Sequence, residues 1–143
     1  MLLGRHDGKI DAKHRVSFPS VFRKTLGDSF IVTTGFEKSL IIVALDNWKT
    51  LLEGTIDKPL TDEDSRQTQR FLLGNATSVQ LDKKGRFLLP AYLKTHAQLF
   101  DEIVFLGMAR FIEAWDKKRW EEYNSELAKH IAPIANRLTE GKT

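Results

Sequence analysis

The chain of 143 residues has no cysteine. That excludes disulfides and thiolate metal sites, and it fits a reducing cytosol. Long apolar runs are missing as well; none approaches the roughly 18 residues that a membrane helix needs. The start, Met1-Leu2-Leu3-Gly4-Arg5, turns polar at once, which argues against a signal peptide. There is no glycine-rich nucleotide loop and no nucleophile elbow. The four histidines, His6, His14, His96 and His130, make no metal pair at helical spacing. His96 reads as a packing or surface residue. No cofactor, metal or small-molecule substrate is therefore expected, and no enzyme.

What is present is a moderately apolar, mildly basic chain. Hydrophobic residues make up 41%, enough for a globular core, and the net charge is +3 with a pI near 9.2. That is a weak tilt towards polyanions; its distribution says more. Residues 1–24 carry Arg5, Lys9, Lys13, Arg15, Arg23 and Lys24 against only Asp7 and Asp11. Positive charge recurs at Lys83, Lys84 and Arg86, whereas the intervening segment is acidic.

Those two basic stretches are copies. Lys9-Ile10-Asp11-Ala12-Lys13-His14-Arg15-Val16-Ser17-Phe18-Pro19 returns 71 positions later as Gln80-Leu81-Asp82-Lys83-Lys84-Gly85-Arg86-Phe87-Leu88-Leu89-Pro90. Phe22 matches Leu93 and Leu26 matches Ala97; then the offset becomes 72, aligning Val32 with Val104, Gly35 with Gly107, Leu40 with Ile112 and Trp48 with Trp120. A fixed-offset match is the signature of duplication. The reading is a first repeat over 1–51, a linker helix over 52–74, a second repeat over 75–123, and a C-terminal helix and tail over 124–143. A unit of about fifty residues has a marginal core alone, so the copies are expected to pack together.

Within each copy the pattern predicts the same order. Short strands 8–11 and 15–18 flank a turn, and Pro19 opens a helix that Gly27 stops. Strands follow at 30–34 and 40–43, the second apolar enough to be covered on both sides. Asp46 is expected to cap a helix carrying Trp48, Leu51 and Leu52. A linker helix runs from Thr61 to Leu73. The second copy repeats the plan with strands 77–82, 86–89, 102–106 and 111–115. A final helix carries Trp120, Tyr123, Leu127, Ile131, Ile134 and Leu138, kinks or ends at Pro133, and leaves a frayed tail to Thr143. Trp48, Trp115 and Trp120 are read as core or interface, since no strand interleaves exposed aromatics with bases as a stacking platform would.

The turns carry the chemistry. Asp11 and Asp82 can each cap a turn as an Asx residue, and Gly85 supplies a positive φ that His14 must supply in the first copy. Each Asp can also orient the Arg four residues on, Arg15 or Arg86, whose planar fork matches phosphate or guanine edges. Lys13, Lys83 and Lys84 add compact positive charge. Two alternatives remain open: the Asp–Arg pairs are purely structural, or Asp11 and Asp82 serve as an acid–base pair.

At these residues the sequence resembles the MraZ family of AbrB-like swapped-hairpin proteins. The signature Asp-x-x-x-Arg, followed by an apolar run into Pro, occurs twice. The Met1-Leu2-Leu3-Gly4 start, the segment from Arg70 to Ala76 and the segment from Ile112 to Lys117 also resemble the family, over about residues 1–125. The resemblance implies an α+β fold of tandem, duplicated swapped-hairpin β-barrel units with short helices and a longer C-terminal helix. It implies a bacterial regulator, cytoplasmic and nucleoid-associated, that binds double-stranded DNA upstream of the division and cell-wall gene cluster. Its sites would be G-rich direct repeats, bound by a closed homo-oligomeric ring. Arg15 and Arg86 take the place of the motif arginines, with Lys13, Lys83, Lys84, His14, Arg5 and Lys9 around them. His14 departs from the usual Gly. The competing expectation is a ring-forming scaffold with structural turn charges.

Overall fold

The computed structural model describes residues 1–141. Eight strands and five helices follow one another as β1 (Leu2–Lys9), β2 (Arg15–Ser17), α1 (Ser20–Leu26), β3 (Ser29–Thr34), β4 (Leu40–Val43), α2 (Leu45–Leu52), α3 (Glu63–Leu72), β5 (Thr77–Gln80), β6 (Arg86–Leu88), α4 (Ala91–His96), β7 (Glu102–Ala109), β8 (Ile112–Asp116) and α5 (Lys117–Glu140). The strand order is β1-β7-β8-β4-β3-β5, with β2 and β6 paired as a separate ribbon.

This order reads the same from either end once the copies are exchanged, β1 for β5, β3 for β7 and β4 for β8. The first strand of each repeat lies on the third strand of the other: Leu2 to Lys9 run against Ala109 to Glu102, and Thr77 to Gln80 against Val32 to Ser29. The ribbon pairs Arg15 with Leu88, Val16 with Phe87 and Ser17 with Arg86. The pseudo-twofold axis thus passes through the Val16–Phe87 pair, and on the far side through Ile41–Glu113, the middle of the β4–β8 ladder. These are swapped hairpins within one chain, and the duplicated α+β fold is the one expected.

Packing explains why the halves cannot part. β-branched and aromatic residues alternate on β3, β4 and β7. One face of the sheet presents Phe30, Val32, Leu40, Ile42, Ile103 and Phe105 to Val16 and Phe87 of the ribbon and to Phe22, Leu26 and Leu93 of the short helices. The other presents Ile31, Ile41 and Val43 to Leu52, Leu72, Trp48 and Phe71. β4 is therefore covered on both sides. Thr33 and Thr34 donate to the carbonyls of Leu72 and Phe71 at 2.6 Å each, which caps the end of α3. Trp115 is buried against Trp120 and Tyr123, with ring centroids 5.3 and 4.8 Å away.

Several local expectations need correction. β1 begins at Leu2 rather than Gly8, because full-length pairing with β7 outweighs its polar composition. Residues 8–11 and 15–18 share only one bridge, Ile10 with Val16; β2 takes β6 as its ladder partner instead. Equivalent positions on β3 and β7 lie 73 apart, not 72. Val32 and Phe105 both face the first strand of the other copy, at Thr77 and His6, and Val32 thus answers Phe105 rather than Val104. A two-residue insertion at Leu99 and Phe100 accounts for the slip, and a turn one residue shorter restores 72 on β8. Helix α2 is capped by Ala44 without a side-chain bond, and Asp46 sits in its first turn, where it still favours the helix dipole. Asp116, the counterpart of Ala44, does cap α5, accepting from the Arg119 N–H. Pro133 lies inside α5, which continues to Glu140. No residue of this helix is buried, so water can satisfy the carbonyl that proline leaves free. The expected fraying is thus absent through Glu140, and Lys142 and Thr143 lie outside the described residues.

Candidate nucleic-acid interface

Each motif forms the same closed turn. In the first copy the Asp11 Oδ1 accepts from the Lys13 and Arg15 N–H groups, both at 2.9 Å, and Oδ2 accepts from Arg15 Nε at 2.8 Å. In the second the Asp82 Oδ1 accepts from Lys84 N at 2.8 Å and Arg86 N at 3.0 Å, and Oδ2 from Arg86 Nε at 3.2 Å. Both turns need a residue with positive φ. Gly85 takes 74°, a region open to it because it has no Cβ, and His14 takes 62° at some steric cost. The turns are also tied crosswise: Leu89 donates to the His14 carbonyl at 2.8 Å, and Phe18 donates to the Gly85 carbonyl at 3.0 Å.

Strand alternation then aims the arginines. Val16 and Phe87 are buried inward, so Arg15, Ser17, Arg86 and Leu88 face outward. Arg15 and Arg86 are diagonal neighbours on that face, roughly 7–8 Å apart by sheet geometry. They line one shallow depression with Lys9, Asp11, Ser17 and Asp101. Each uses its Nε on its own Asp, and no described residue takes the Nη groups. Lys13, Lys83 and Lys84 are exposed at the turns, and His14 is half-buried. Lys9 accompanies them through Ser17, whose Oγ accepts from the Lys9 N–H at 2.8 Å. Arg5 is engaged elsewhere, with Asp7 at 3.9 Å and with Glu121 of α5 at 3.7 Å.

One group escaped the sequence reading. Arg23, on α1, is held by Asp28 at 2.7 Å, and its Nη1 lies 3.7 Å from where a Cβ on Gly85 would be. Its helix belongs to the first repeat and its turn to the second. The basic residue four positions after each motif Pro, Arg23 and Lys94, was the available signal.

The N–H of Arg15 is the main reason that the Asp11 carboxyl lies below its ordinary range, with burial opposing. The N–H of Arg86 does the same for Asp82. Both carboxyls thus stay ionised near neutrality, which suits them to orienting arginines and poorly to donating protons. A depressed folded-state value lends stability that is complete above the unfolded carboxyl value of about 3.9 and is lost as pH falls through the lower folded value. The double variant Asp11→Asn/Asp82→Asn is therefore expected to lose less melting temperature than wild type between about pH 7 and about pH 3. Circular-dichroism melts would read this; parallel curves would show that the turns contribute nothing to acid sensitivity.

Comparison with known proteins fits the duplicated turns. The family model described as "MraZ protein, putative antitoxin-like" matches residues 1–71 and again 72–140. Proteins named "Transcriptional regulator MraZ" align along almost the whole chain. The one from Caldanaerobacter subterraneus subsp. tengcongensis is 38% identical over 138 residues, 96% of each protein. Those from Thermoanaerobacter pseudethanolicus and Clostridium tetani are 39% and 40% identical over 140 residues, 98% of each. A chain whose two halves each match this model, and whose two halves exchange their first strands around paired Asp-x-x-x-Arg turns, belongs to the MraZ family.

Proposed function

We propose that this protein is a sequence-specific DNA-binding transcriptional regulator that reads DNA through the outer face of its β2–β6 ribbon. The observation that carries the reading is the pair of arginines on that one face, each held by its own Asp through Nε, with the Nη groups not taken by any described residue. Arginine in this state has already lost most of its rotamer freedom, and its fork meets guanine O6 and N7, or a phosphate, in two bonds. Lys13, Lys83, Lys84 and Lys9 surround the arginines and supply phosphate contacts, and His14 sits at the first turn's apex. The relatives' name, "Transcriptional regulator MraZ", agrees with this use.

Repeats 1–51 and 75–123 act as one pseudo-dimer joined by 52–74, with 124–143 as an appended helix and tail. The protein forms a closed homo-oligomeric ring that engages G-rich direct repeats upstream of the division and cell-wall gene cluster, in the cytoplasm at the nucleoid. A head-to-tail ring presents the same face in series, which suits direct repeats rather than palindromes. Exposed Ile131 and Leu138 on α5 support self-association. No described helix is long and apolar enough to cross a membrane.

Duplexes carrying one, two or three copies of the upstream repeat test this. Linked sites raise the effective concentration of the second and third contacts, so affinity is expected to climb steeply with copy number. Equal affinity for one copy and three would contradict the ring reading. Lys13→Ala, Lys83→Ala and Lys84→Ala are each expected to weaken operator and scrambled duplexes alike. Each should reduce the slope of log affinity against log salt by about 0.9 per phosphate contact removed. Titrations at several salt concentrations check this, and an unchanged slope would remove that lysine from the interface. A stable ring that ignores DNA would favour the scaffold alternative.

A further inference from the structure

The fold's pseudo-twofold makes the two turns equivalent in backbone, but their surroundings differ. Beside turn 82–86 stands Arg23, oriented by Asp28 at 2.7 Å and reaching the space over Gly85, which has no side chain to exclude it. By the repeat correspondence the counterpart of Arg23 for turn 11–15 is Lys94, 71 positions on, and Lys94 makes no ion pair among the described residues. The counterpart of Asp28 is Asp101. Their backbone carbonyls accept equivalent bonds, from Leu81 N and Ile10 N, both at 2.8 Å. Asp101, however, lies 73 positions on, beyond the two-residue insertion, and is out of step with Lys94. The apex of the first turn also carries an imidazole instead of a hydrogen.

These differences separate two kinds of recognition. Turn 82–86 has two guanidinium groups, Arg86 and Arg23, each fixed through Nε by a carboxylate and each offering its fork outward. Such forks discriminate base edges. Turn 11–15 has one such guanidinium, Arg15, fixed by Asp11 at 2.8 Å, and in place of the second it has an ammonium on a flexible stem and an imidazole; with a single oriented fork the set favours phosphate, where a point charge serves.

Resting on the DNA-binding reading above, we propose that the ribbon is a polar reader: turn 82–86 with Arg23 determines base sequence, turn 11–15 with Lys94 grips the backbone, and each protomer therefore sits on its site in one orientation. Polarity of this kind gives a direct repeat its direction even though the protein fold is nearly symmetric.

The test begins with the duplex that full-length wild type enriches from a randomised pool, and with a scrambled version of it. The ratio of the two dissociation constants is measured by fluorescence anisotropy for wild type, Arg23→Lys, Arg86→Lys, Arg15→Lys and Lys94→Gln. Arg23→Lys keeps the charge beside Asp28, so its fold is retained, and circular dichroism verifies this. A lost bidentate base contact corresponds to about 5- to 150-fold. The ratio is expected to fall by at least about fivefold in Arg23→Lys and Arg86→Lys. It should stay within about twofold in Arg15→Lys and Lys94→Gln, which weaken both duplexes together. Equal loss of ratio for Arg15→Lys and Arg86→Lys, or an unchanged ratio in Arg23→Lys, overturns the polarity while leaving DNA binding in place. Failure of wild type to enrich any duplex overturns the DNA reading and the polarity with it.

Discussion

Replacing Arg15 and Arg86 together by alanine is expected to weaken binding of the upstream duplex by about 1–3 kcal/mol per protomer for the base contact of Arg86, and further by the sequence-independent phosphate contact of Arg15. The two are diagonal neighbours on one ribbon face, so the losses are coupled and their sum is only a guide. The fold should survive. The Asp11 Oδ1 keeps its bonds from the backbone N–H groups of residues 13 and 15, and Asp82 keeps those from 84 and 86. The removed side chains point outward from a ribbon whose inner residues, Val16 and Phe87, are untouched. Anisotropy titration reads the loss and far-ultraviolet circular dichroism the fold. A loss equal for operator and scrambled duplexes would make both arginines phosphate contacts.

The second large effect concerns the core. Phe105→Ala is expected to cost about 3–5 kcal/mol, the usual range for a buried phenylalanine, and to lower the melting temperature by roughly 10–15 °C in a chain of this size. Phe105 is fully buried on β7 of the second repeat. Its ring meets Phe18 of the first repeat edge-on, 5.7 Å between centroids, and Phe18 in turn stacks on Phe30 at 4.8 Å. The ring also packs against the backbone at Gly8, where a Cβ would come within 2.6 Å of Phe105 Cε2. The cavity would therefore open between the repeats, where backbone-to-ring contact leaves little to collapse inward. Phe100→Ala is the control: that ring is 86% exposed, and its loss should stay within about 0.5 kcal/mol. Urea denaturation compares them. Equal midpoints would mean that the repeats do not share this core.

The duplication, the turns and the order of elements could be read from the sequence because each leaves a local mark. Asp, Arg and Pro recur at fixed spacing, and Leu40 to Val43 is apolar at every position. The swap leaves no such mark. Residues 8–18 have the same alternation whether Arg15 to Ser17 pair with their own repeat or with Arg86 to Leu88, so the residue pattern does not choose between them, and only the family resemblance implied the swap. Sequence alignment also slipped by one on β3 and β7, because Val32 and Val104 are identical while the structure aligns Val32 with Phe105. Arg23 was visible only as charge. Its place beside Gly85 exists because the swap brings α1 of one repeat to the turn of the other, a proximity that spacing along the chain does not encode.

The most direct test of the account is a fluorescence-anisotropy titration at low and near-physiological salt. It sets DNA from upstream of the protein's own gene against a scrambled duplex, with wild type and the Arg15→Ala/Arg86→Ala variant side by side. The account predicts that wild type binds the upstream duplex selectively, that added salt weakens both complexes, and that selectivity vanishes in the variant. A folded, oligomeric wild type that binds neither duplex would contradict it and leave the Asp–Arg turns as structural ties within a scaffold.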